Sequence, residues 1–268
     1  MRADTRYKIL LDNIQSSTMM IKRIQSVIGI CAIALLQSCG GGESTGTTDN
    51  ITPVADSAVN KEEGFVQMFD GKTMNGWDAD TGYWRVENGA LVGEVTPAKP
   101  LKNNTFIIWR GGTPGDFEFK AEYKINAEGN SGVQYRSEEL KDIAHALKGY
   151  QADIDGANTY TGQNYEERGR GFLAMRGQIV ELKTGEKPII LDSLGTSDSL
   201  KGLIKVNDWN EIHIVAKGNN YKHYINGVLM SEATDNDSTN RKMSGVLGMQ
   251  VHVMPSMKVE YRNLRIKQ

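Results

Sequence analysis

Cysteine is nearly absent from this sequence: the 268 residues include two, Cys31 and Cys39, and none follows residue 39. The chain beyond Cys39 therefore cannot form an internal disulfide, attack a substrate with a thiolate or hold zinc through cysteine ligands. A domain folded from that part of the chain has to take its stability from a packed core.

An excess of positive charge is lacking too. Lysine and arginine number 31 against 33 aspartates and glutamates, the formal net charge is −2, and no Lys/Arg-rich run appears. Because nucleic-acid binding relies on a basic patch, we expect no nucleic-acid partner. Of the four histidines, His145, His213 and His223 show no metal-ligand spacing, so we interpret these three as structural.

Helical patterns are scarce as well. The segment from Ser137 to Leu147 carries apolar residues at helical spacing, with Ser137 in place as an N-cap, and it is the one fair helix candidate. The sequence therefore predicts a single short helix, at residues 137–147.

Alternating patterns of period two fill much of the remaining chain. From Phe117 to Ile125 apolar and charged residues alternate, which predicts an antiparallel strand with one buried face. Two Asn-Gly pairs, Asn88-Gly89 and Asn226-Gly227, separate such runs and predict tight hairpins. A change of phase near Arg262-Asn263 predicts a β-bulge in the last strand. Many short strands with one helix favour an all-β fold, a β-sandwich of jelly-roll type.

The segment from Met20 to Cys39 is typical of a secretory signal. Two basic residues precede a short apolar run, about half the ~20 residues of a spanning helix, and small residues precede the cysteine. The end of this segment resembles a bacterial lipobox, with Cys39 as the lipidated residue. We expect residues 1–38 to be an over-extended start plus a lipoprotein signal peptide.

The chain after Cys39 divides into two parts. Residues 39–63 are rich in Gly, Ser, Thr and Asp without apolar periodicity, which predicts a flexible tether. Residues 64–268 have a length that suits one domain. We expect a lipid-anchored protein of the bacterial cell envelope, periplasmic or on the outer membrane, with the membrane as a partner through the anchor.

An ordered set of motifs in the domain resembles the 3-keto-disaccharide hydrolase family. The motifs, read along the chain, are Phe69-Asp70-Gly71-Lys72, Asn75-Gly76-Trp77, Trp84-Arg85-Val86, Asp116-Phe117-Glu118, Asn130-Ser131-Gly132-Val133, Gly149-Tyr150-Gln151, Trp209-Asn210-Glu211, Gly248-Met249-Gln250-Val251-His252 and Arg262-Asn263-Leu264. The resemblance implies a concanavalin-like jelly roll with carbohydrate on a concave sheet. One departure is Gln151, where many relatives carry a glutamate.

Three predicted strands each carry polar residues on one face. Alternation places Gln134 with Arg136, Gln151 with Asp153 and Asp155, and Gln250 with His252. Amides, carboxylates and aromatic rings suit sugar hydroxyls and sugar faces. The alternative for any one strand is an ordinary solvated sheet face. The predicted substrate-binding residues are Gln134, Arg136, Gln151, Asp155, Tyr165, Arg170 and Gln250.

The activity implied by the resemblance is cleavage of a glycoside whose carbon 3 is a ketone. Loss of the acidic carbon 2 proton expels the carbon 1 substituent, and water then adds back. The candidates for proton transfer are Asp153, Glu167 and His252. Arg136 or a divalent cation would stabilise the oxyanion, and Asp153, Asp155 or Glu167 are the candidate ligands for such a cation.

Two other functions stay open at this point. One is a carbohydrate-binding lipoprotein without catalysis. The other is a conventional jelly-roll glycosidase, because Asp153 and Asp155 on one strand face would lie roughly 6.5 to 7 Å apart, within the range for paired carboxylates. The sequence lacks the Glu-x-Asp-x-x-Glu pattern of laminarinase-like jelly rolls.

Overall fold

The computed structural model describes residues 62–268. The predicted signal peptide, the lipidation site Cys39 and the tether up to residue 61 lie outside the described residues. Among residues 62–268, no helix has the length and apolarity needed to span a bilayer.

Seventeen strands and one short helix form the domain. In chain order these are β1 (Val66–Gln67), β2 (Trp77–Asp78), β3 (Trp84–Glu87), β4 (Ala90–Val95), β5 (Thr105–Trp109), β6 (Phe117–Ile125), β7 (Asn130–Glu139), β8 (Leu147–Asp155), β9 (Asn164–Glu167), β10 (Gly171–Ala174), β11 (Gln178–Leu182), β12 (Ile189–Ser193), α1 (Ser197–Lys201), β13 (Asn210–Lys217), β14 (Asn220–Ile225), β15 (Val228–Asp235), β16 (Val246–Val251) and β17 (Met257–Lys267).

The strands form two sheets, which confirms the predicted all-β sandwich. The ten-stranded sheet has the order β12-β11-β15-β14-β13-β6-β17-β4-β3, with β1 also paired to β17. The seven-stranded sheet has the order β10-β9-β8-β7-β16-β5-β2. Within the described chain the β11–β15 pair is parallel, and the other paired strands are antiparallel.

The core lies between the facing sides of the two sheets. Strand β6 shows the predicted alternation, with Phe117, Phe119 and Ile125 buried and the intervening charged residues half-exposed. Tyr150 and Ile154 of β8 reach the same core from the seven-stranded sheet. Because side chains alternate, the polar residues between them must point to the outer face of that sheet.

The predicted hairpins and the bulge are confirmed. Asn88 and Asn226 take φ angles of 50° and 51°, and each lies between paired antiparallel strands. Positive φ at both central residues suits the twist of a tight hairpin. The register of β17 shifts between Arg262 and Arg265, with Asn263 at φ 53°.

The predicted helix at residues 137–147 is wrong. Ser137 is paired with Val246 inside β7, and Leu147 begins β8. The residues between them form a loop that reaches β5, where Phe106 N donates to the His145 carbonyl at 2.9 Å. Strand pairing and burial of Leu147 against a small apolar cluster override the local helical spacing.

The helix that does form is α1, at Ser197–Lys201. Thr196 caps it, because its hydroxyl accepts a hydrogen bond from Ser199 N at 3.2 Å. Leu200 is its buried residue. Five residues are too few to show an apolar period in the sequence.

The three histidines interpreted as structural are held by neighbouring polar groups. His223 is buried, with Nε2 2.9 Å from the Tyr135 hydroxyl and Nδ1 3.1 Å from the Gln163 carbonyl. Burial lowers the pKa of His223 to about 4. His213 contacts Glu118 and His145 contacts Asp78, so each histidine has a local polar partner.

Removal of one central core ring tests the packing. Phe119→Ala should lower the free energy of unfolding by about 3–5 kcal/mol, since the fully buried ring would leave a cavity between the sheets. Urea denaturation followed by tryptophan fluorescence measures this. Lys217→Ala, at the exposed last residue of β13, is the control, expected to change stability by less than about 0.5 kcal/mol. Equal effects of the two substitutions would contradict the assigned core.

Candidate functional site

A polar cavity of about 230 Å³ opens on the outer face of the seven-stranded sheet. It is lined by Asn130, Gln151, Asp153, Tyr160, Tyr165, Glu167, Phe172 and His252. Its residues come from β7, β8, β9 and β10, the loop before β9 and the segment just after β16. Five of the ten predicted catalytic and substrate-binding residues thus line one cavity.

Strand register explains why these residues meet. Gln151 lies opposite Tyr165 on β9 and Gln134 on β7. Asp153 lies opposite Gly132, which has no side chain. A Cβ added at Gly132 would lie 2.6 Å from the Gln151 side chain, so the glycine leaves the space that Gln151 occupies.

Asp153 is the most strongly perturbed acid of the cavity. Its side chain is 7% exposed, and Oδ1 accepts a hydrogen bond from Gln151 Nε2 at 2.9 Å. Burial raises the pKa of Asp153 to about 8, with a further rise from the charges of Asp155 and Glu167. The Gln151 hydrogen bond opposes this rise but does not cancel it, so the carboxyl group holds its proton at neutral pH.

His252 follows the end of β16 and presents one free ring nitrogen. Its Nδ1 lies 3.0 Å from the Val253 carbonyl. A carbonyl oxygen accepts hydrogen bonds and cannot donate, so Nδ1 carries the hydrogen. In the neutral ring Nε2 therefore has the lone pair, which suits a general base.

Glu167 ends β9 and is oriented by Asn104. Asn104 Nδ2 donates to Glu167 Oε1 at 3.2 Å, and Asn104 Oδ1 accepts from Val253 N at 2.9 Å. Asn104 thereby connects the carboxylate to the segment that carries His252. The sequence interpretation did not include Asn104, which lies outside the quoted motifs.

Three aromatic rings form one wall of the cavity. The Tyr160 and Phe172 rings are stacked with centroids 5.9 Å apart, and Tyr165 meets Phe172 edge to face at 5.1 Å. Tyr160 is 39% and Phe172 is 45% exposed. Exposed ring faces beside carboxyl and amide groups suit a sugar ring, whose faces are apolar and whose edge is polar.

Asp155 supports this wall from outside the cavity. Its carboxylate accepts hydrogen bonds from the backbone N–H groups of Thr159, Tyr160 and Thr161 at 2.8–2.9 Å. It therefore orders the loop that carries Tyr160 and does not line the cavity, which corrects its predicted substrate contact. With these hydrogen bonds Asp155 is committed to the loop and does not join Asp153 and Glu167 in the cavity. Among residues 62–268, no group of three or more His, Asp or Glu side chains is arranged to hold a metal ion.

Arg136 faces away from the cavity, contrary to prediction. The register of β7 shifts beyond Tyr135, and Arg136 takes φ 47°, which ends the simple alternation. Its guanidinium lies between the sheets, donating to the carbonyls of Gly115 and Gly218 and lying 5.2 Å from the Tyr221 ring centroid. Arg136 is thus not placed to stabilise an oxyanion in the cavity.

Arg170 likewise forms ion pairs within the protein. Its guanidinium pairs with Glu166 at 2.6 Å, Asp235 at 2.7 Å and Asp237 at 3.3 Å. These carboxylates compensate its charge and hold it outside the polar cavity. Arg170 therefore does not line the polar cavity.

Gln134 and Gln250 are fully buried and do not line the cavity either. Gln134 Oε1 accepts from Ser137 Oγ at 2.9 Å, and its Nε2 lies 3.4 Å from Gln151 Oε1. The buried Gln134 side chain thus contacts Gln151, which does line the cavity. Alternation places Gln250 on the outer face, but its side chain is fully buried and is not part of the cavity lining.

Three lining residues were missed by the sequence interpretation: Asn130, Tyr160 and Phe172. Asn130 begins a quoted family motif and lies opposite Asp155. The motif and the strand alternation could therefore have identified it as a lining residue. Tyr160 lies in a loop and Phe172 follows a turn in which Arg168 and Gly171 both take positive φ. No periodicity could have brought these two rings together.

Substitution of Asp153 by its neutral isostere tests the buried proton. The folded pKa lies above the unfolded one, so unfolding releases a proton between pH ~4 and ~8 and stability falls as pH rises through that window. Asp153→Asn removes this penalty. Relative to the parent, the variant should gain on the order of 2–4 kcal/mol between pH 4 and pH 8.5.

Urea denaturation at a series of pH values measures the gain. Asp192→Asn, at an exposed position of β12, serves as the matched control and should show no such trend. A stability difference between parent and Asp153→Asn that stays constant from pH 4 to pH 8.5 would show that Asp153 is ionised in the folded protein.

Comparisons with known proteins agree with this fold and with the motifs. A 3-keto-disaccharide hydrolase from Bacteroides thetaiotaomicron is 24% identical over 157 residues, 45% of this chain and 50% of that protein. The chain thus spans about half the length of that curated relative. Two crystal structures of provisionally assigned glycosyl hydrolases from Parabacteroides distasonis share the fold. They have TM-scores of 0.52 and 0.50, identities of 22% and 16%, and cover 76% of this chain and 94% and 98% of theirs.

The family model for 3-keto-alpha-glucoside-1,2-lyase-like domains matches residues 64–267. That match spans both sheets and every residue that lines the polar cavity. The chain therefore belongs to the family of 3-keto-alpha-glucoside-1,2-lyase-like domains.

Proposed function

We propose that the polar cavity cleaves 3-keto-glycosides by elimination followed by hydration. The observation that carries this proposal is a protonated buried carboxyl, Asp153, in the same cavity as the free Nε2 of His252 and the Glu167 carboxylate. An acid and a base at one site meet the needs of proton transfer in both directions. The family membership and the relative's name support the same chemistry.

Elimination needs a base at carbon 2 and an acid at the leaving oxygen. His252 Nε2 takes the carbon 2 proton, and the electron pair moves to the carbon 3 carbonyl to give an enediolate. The ketone re-forms as the carbon 1–oxygen bond breaks, leaving a double bond between carbons 1 and 2. Asp153 gives its proton to the departing oxygen.

Hydration completes the reaction. Water adds its hydroxyl to carbon 1, and a proton returns to carbon 2 from His252. Glu167, oriented by Asn104, accepts the water proton, and the leaving group is released as an alcohol. Transfer of that proton from Glu167 to Asp153 restores the starting state. The enediolate oxygen is stabilised by amide donors, for which Asn130 and Gln151 replace the predicted Arg136.

A ketone at carbon 3 explains why one buried acid suffices. A conventional glycosidase builds positive charge at carbon 1 and uses two carboxylates at a set separation. Here the carbon 2 proton is acidified by the neighbouring carbonyl, and the base is an imidazole. Asp155, the second acid expected for a conventional pair, is committed to its own loop.

Paired oxidised and plain glucosides test the proposal. The purified domain should release product from the 3-keto-glucoside and leave the plain glucoside intact. Asp153→Asn and His252→Gln should each lower kcat by about 10²–10⁴-fold, the usual contribution of one proton-transfer group. Asp192→Asn is the control and should keep the parental rate.

Two results would overturn the elimination proposal. Equal cleavage of the plain glucoside would indicate a conventional glycosidase, and saturable binding without turnover would indicate a binding module. In deuterated water, unreacted 3-keto-glucoside should exchange its carbon 2 proton. Hydrolysis without deuterium at carbon 2 of the product, combined with no primary kinetic isotope effect for the carbon 2-deuterated substrate, would contradict removal of that proton.

We also propose that the domain is tethered to the bacterial cell envelope through Cys39. Support comes from the charged, apolar and small-residue order of residues 20–39. Cys39→Ser should lose incorporation of a labelled fatty acid and keep the mass of the uncleaved precursor. Cys31→Ser, within the apolar run, is a matched control and should leave labelling and processing unchanged; equal labelling of the two variants would refute lipidation at Cys39.

A further inference from the structure

A second cavity of about 280 Å³ adjoins the polar cavity, and Phe172 lines both. The shared ring stands 45% exposed between them. A ligand bound in the polar cavity can therefore extend past the edge of Phe172 into the second cavity. Nothing in the proposed chemistry of Asp153, Glu167 and His252 uses this neighbouring space.

The second cavity has a different character from the first. Beside Phe172, its wall includes the buried side chain of Leu182 on β11 and the ring of Pro188. No amide or hydroxyl side chain lines it. Its other lining side chains are apolar or charged, and an aromatic ring would bury apolar surface against Phe172 and Pro188.

The rim of the second cavity carries ammonium groups. Lys183 and Lys187 lie there with a single acid, Glu186. Lys183 is paired with Glu181 at 3.1 Å, while Lys187 forms no ion pair with any of the described residues. Arg170 also reaches this cavity, but its charge is compensated by Glu166, Asp235 and Asp237. Lys187 is thus the cation left to attract an anionic group.

We propose that the second cavity holds the leaving group of the substrate, and that this group is an aromatic ring with an acidic substituent. This inference rests on the proposed function, because it takes the sugar to lie in the polar cavity. The ring lies against Phe172 and Pro188, and its carboxylate points to Lys187. The substrate class is then a 3-keto-glycoside of an acidic phenol.

The matched probes are the 4-carboxyphenyl and 4-carbamoylphenyl 3-keto-glucosides, which have nearly the same size and differ by one charge. The parent should prefer the carboxylate in kcat/KM by about fivefold, the upper range for an ion pair at an exposed lysine. Lys187→Glu should reverse the preference, since it presents like charge to the carboxylate. Lys217→Glu, at the exposed last residue of β13, should keep the parental ratio.

Binding without turnover separates this inference from the proposed function. In calorimetry, free 4-hydroxybenzoate should bind the parent and Lys217→Glu and bind Lys187→Glu at least about fivefold more weakly. If both glucosides are cleaved without a charge preference, or if Lys187→Glu keeps the parental ratio, the leaving-group site is wrong. If neither 3-keto-glucoside reacts, the proposed function fails, and 4-hydroxybenzoate binding that depends on Lys187 still supports the anion-attracting apolar cavity.

Discussion

Alternation of side chains across the seven-stranded sheet is the constraint on which the site depends. A strand has two faces, and the core between the sheets takes Tyr150 and Ile154 of β8. Their neighbours Gln151 and Asp153 must then point outward. Asp153 lines the cavity on that face together with Tyr165 and Glu167 of β9, and its burial raises its pKa to about 8. The acid of the site is thus a consequence of core packing one residue away.

Interruptions of the alternation, and the use of side chains by neighbouring loops, determine which other polar residues line the cavity. The register shift in β7 turns Arg136 into the space between the sheets, where its charge is held by carbonyl groups. Asp155 keeps the outward orientation but is used by the loop that follows β8. Asp153 and Asp155, two carboxyl groups on the same face of β8, therefore have different surroundings: Asp153 lines the cavity with a raised pKa, and Asp155 positions Tyr160.

Much of the fold could be predicted from local patterns. The alternation of Phe117–Ile125 gave β6 its exact extent, and the Asn-Gly pairs marked two hairpins, because both signals depend on neighbours in sequence. The helix predicted for residues 137–147 is wrong for the same reason, because that prediction also used only neighbours in sequence. Its helical spacing is local, whereas its actual structure is set by pairing of Ser137 with Val246, more than a hundred residues away.

The amino-acid sequence by itself determined the sandwich class, the family and the outward face that carries Gln151, Asp153 and His252, because period, turn residues and motif order are properties of the linear chain. Only the tertiary structure decided which outward groups share a cavity, that Tyr160 and Phe172 complete it, and that Arg136 is excluded. Those outcomes depend on loop closure, register shifts and burial, which join residues far apart in sequence and change the charge of a carboxyl through its surroundings.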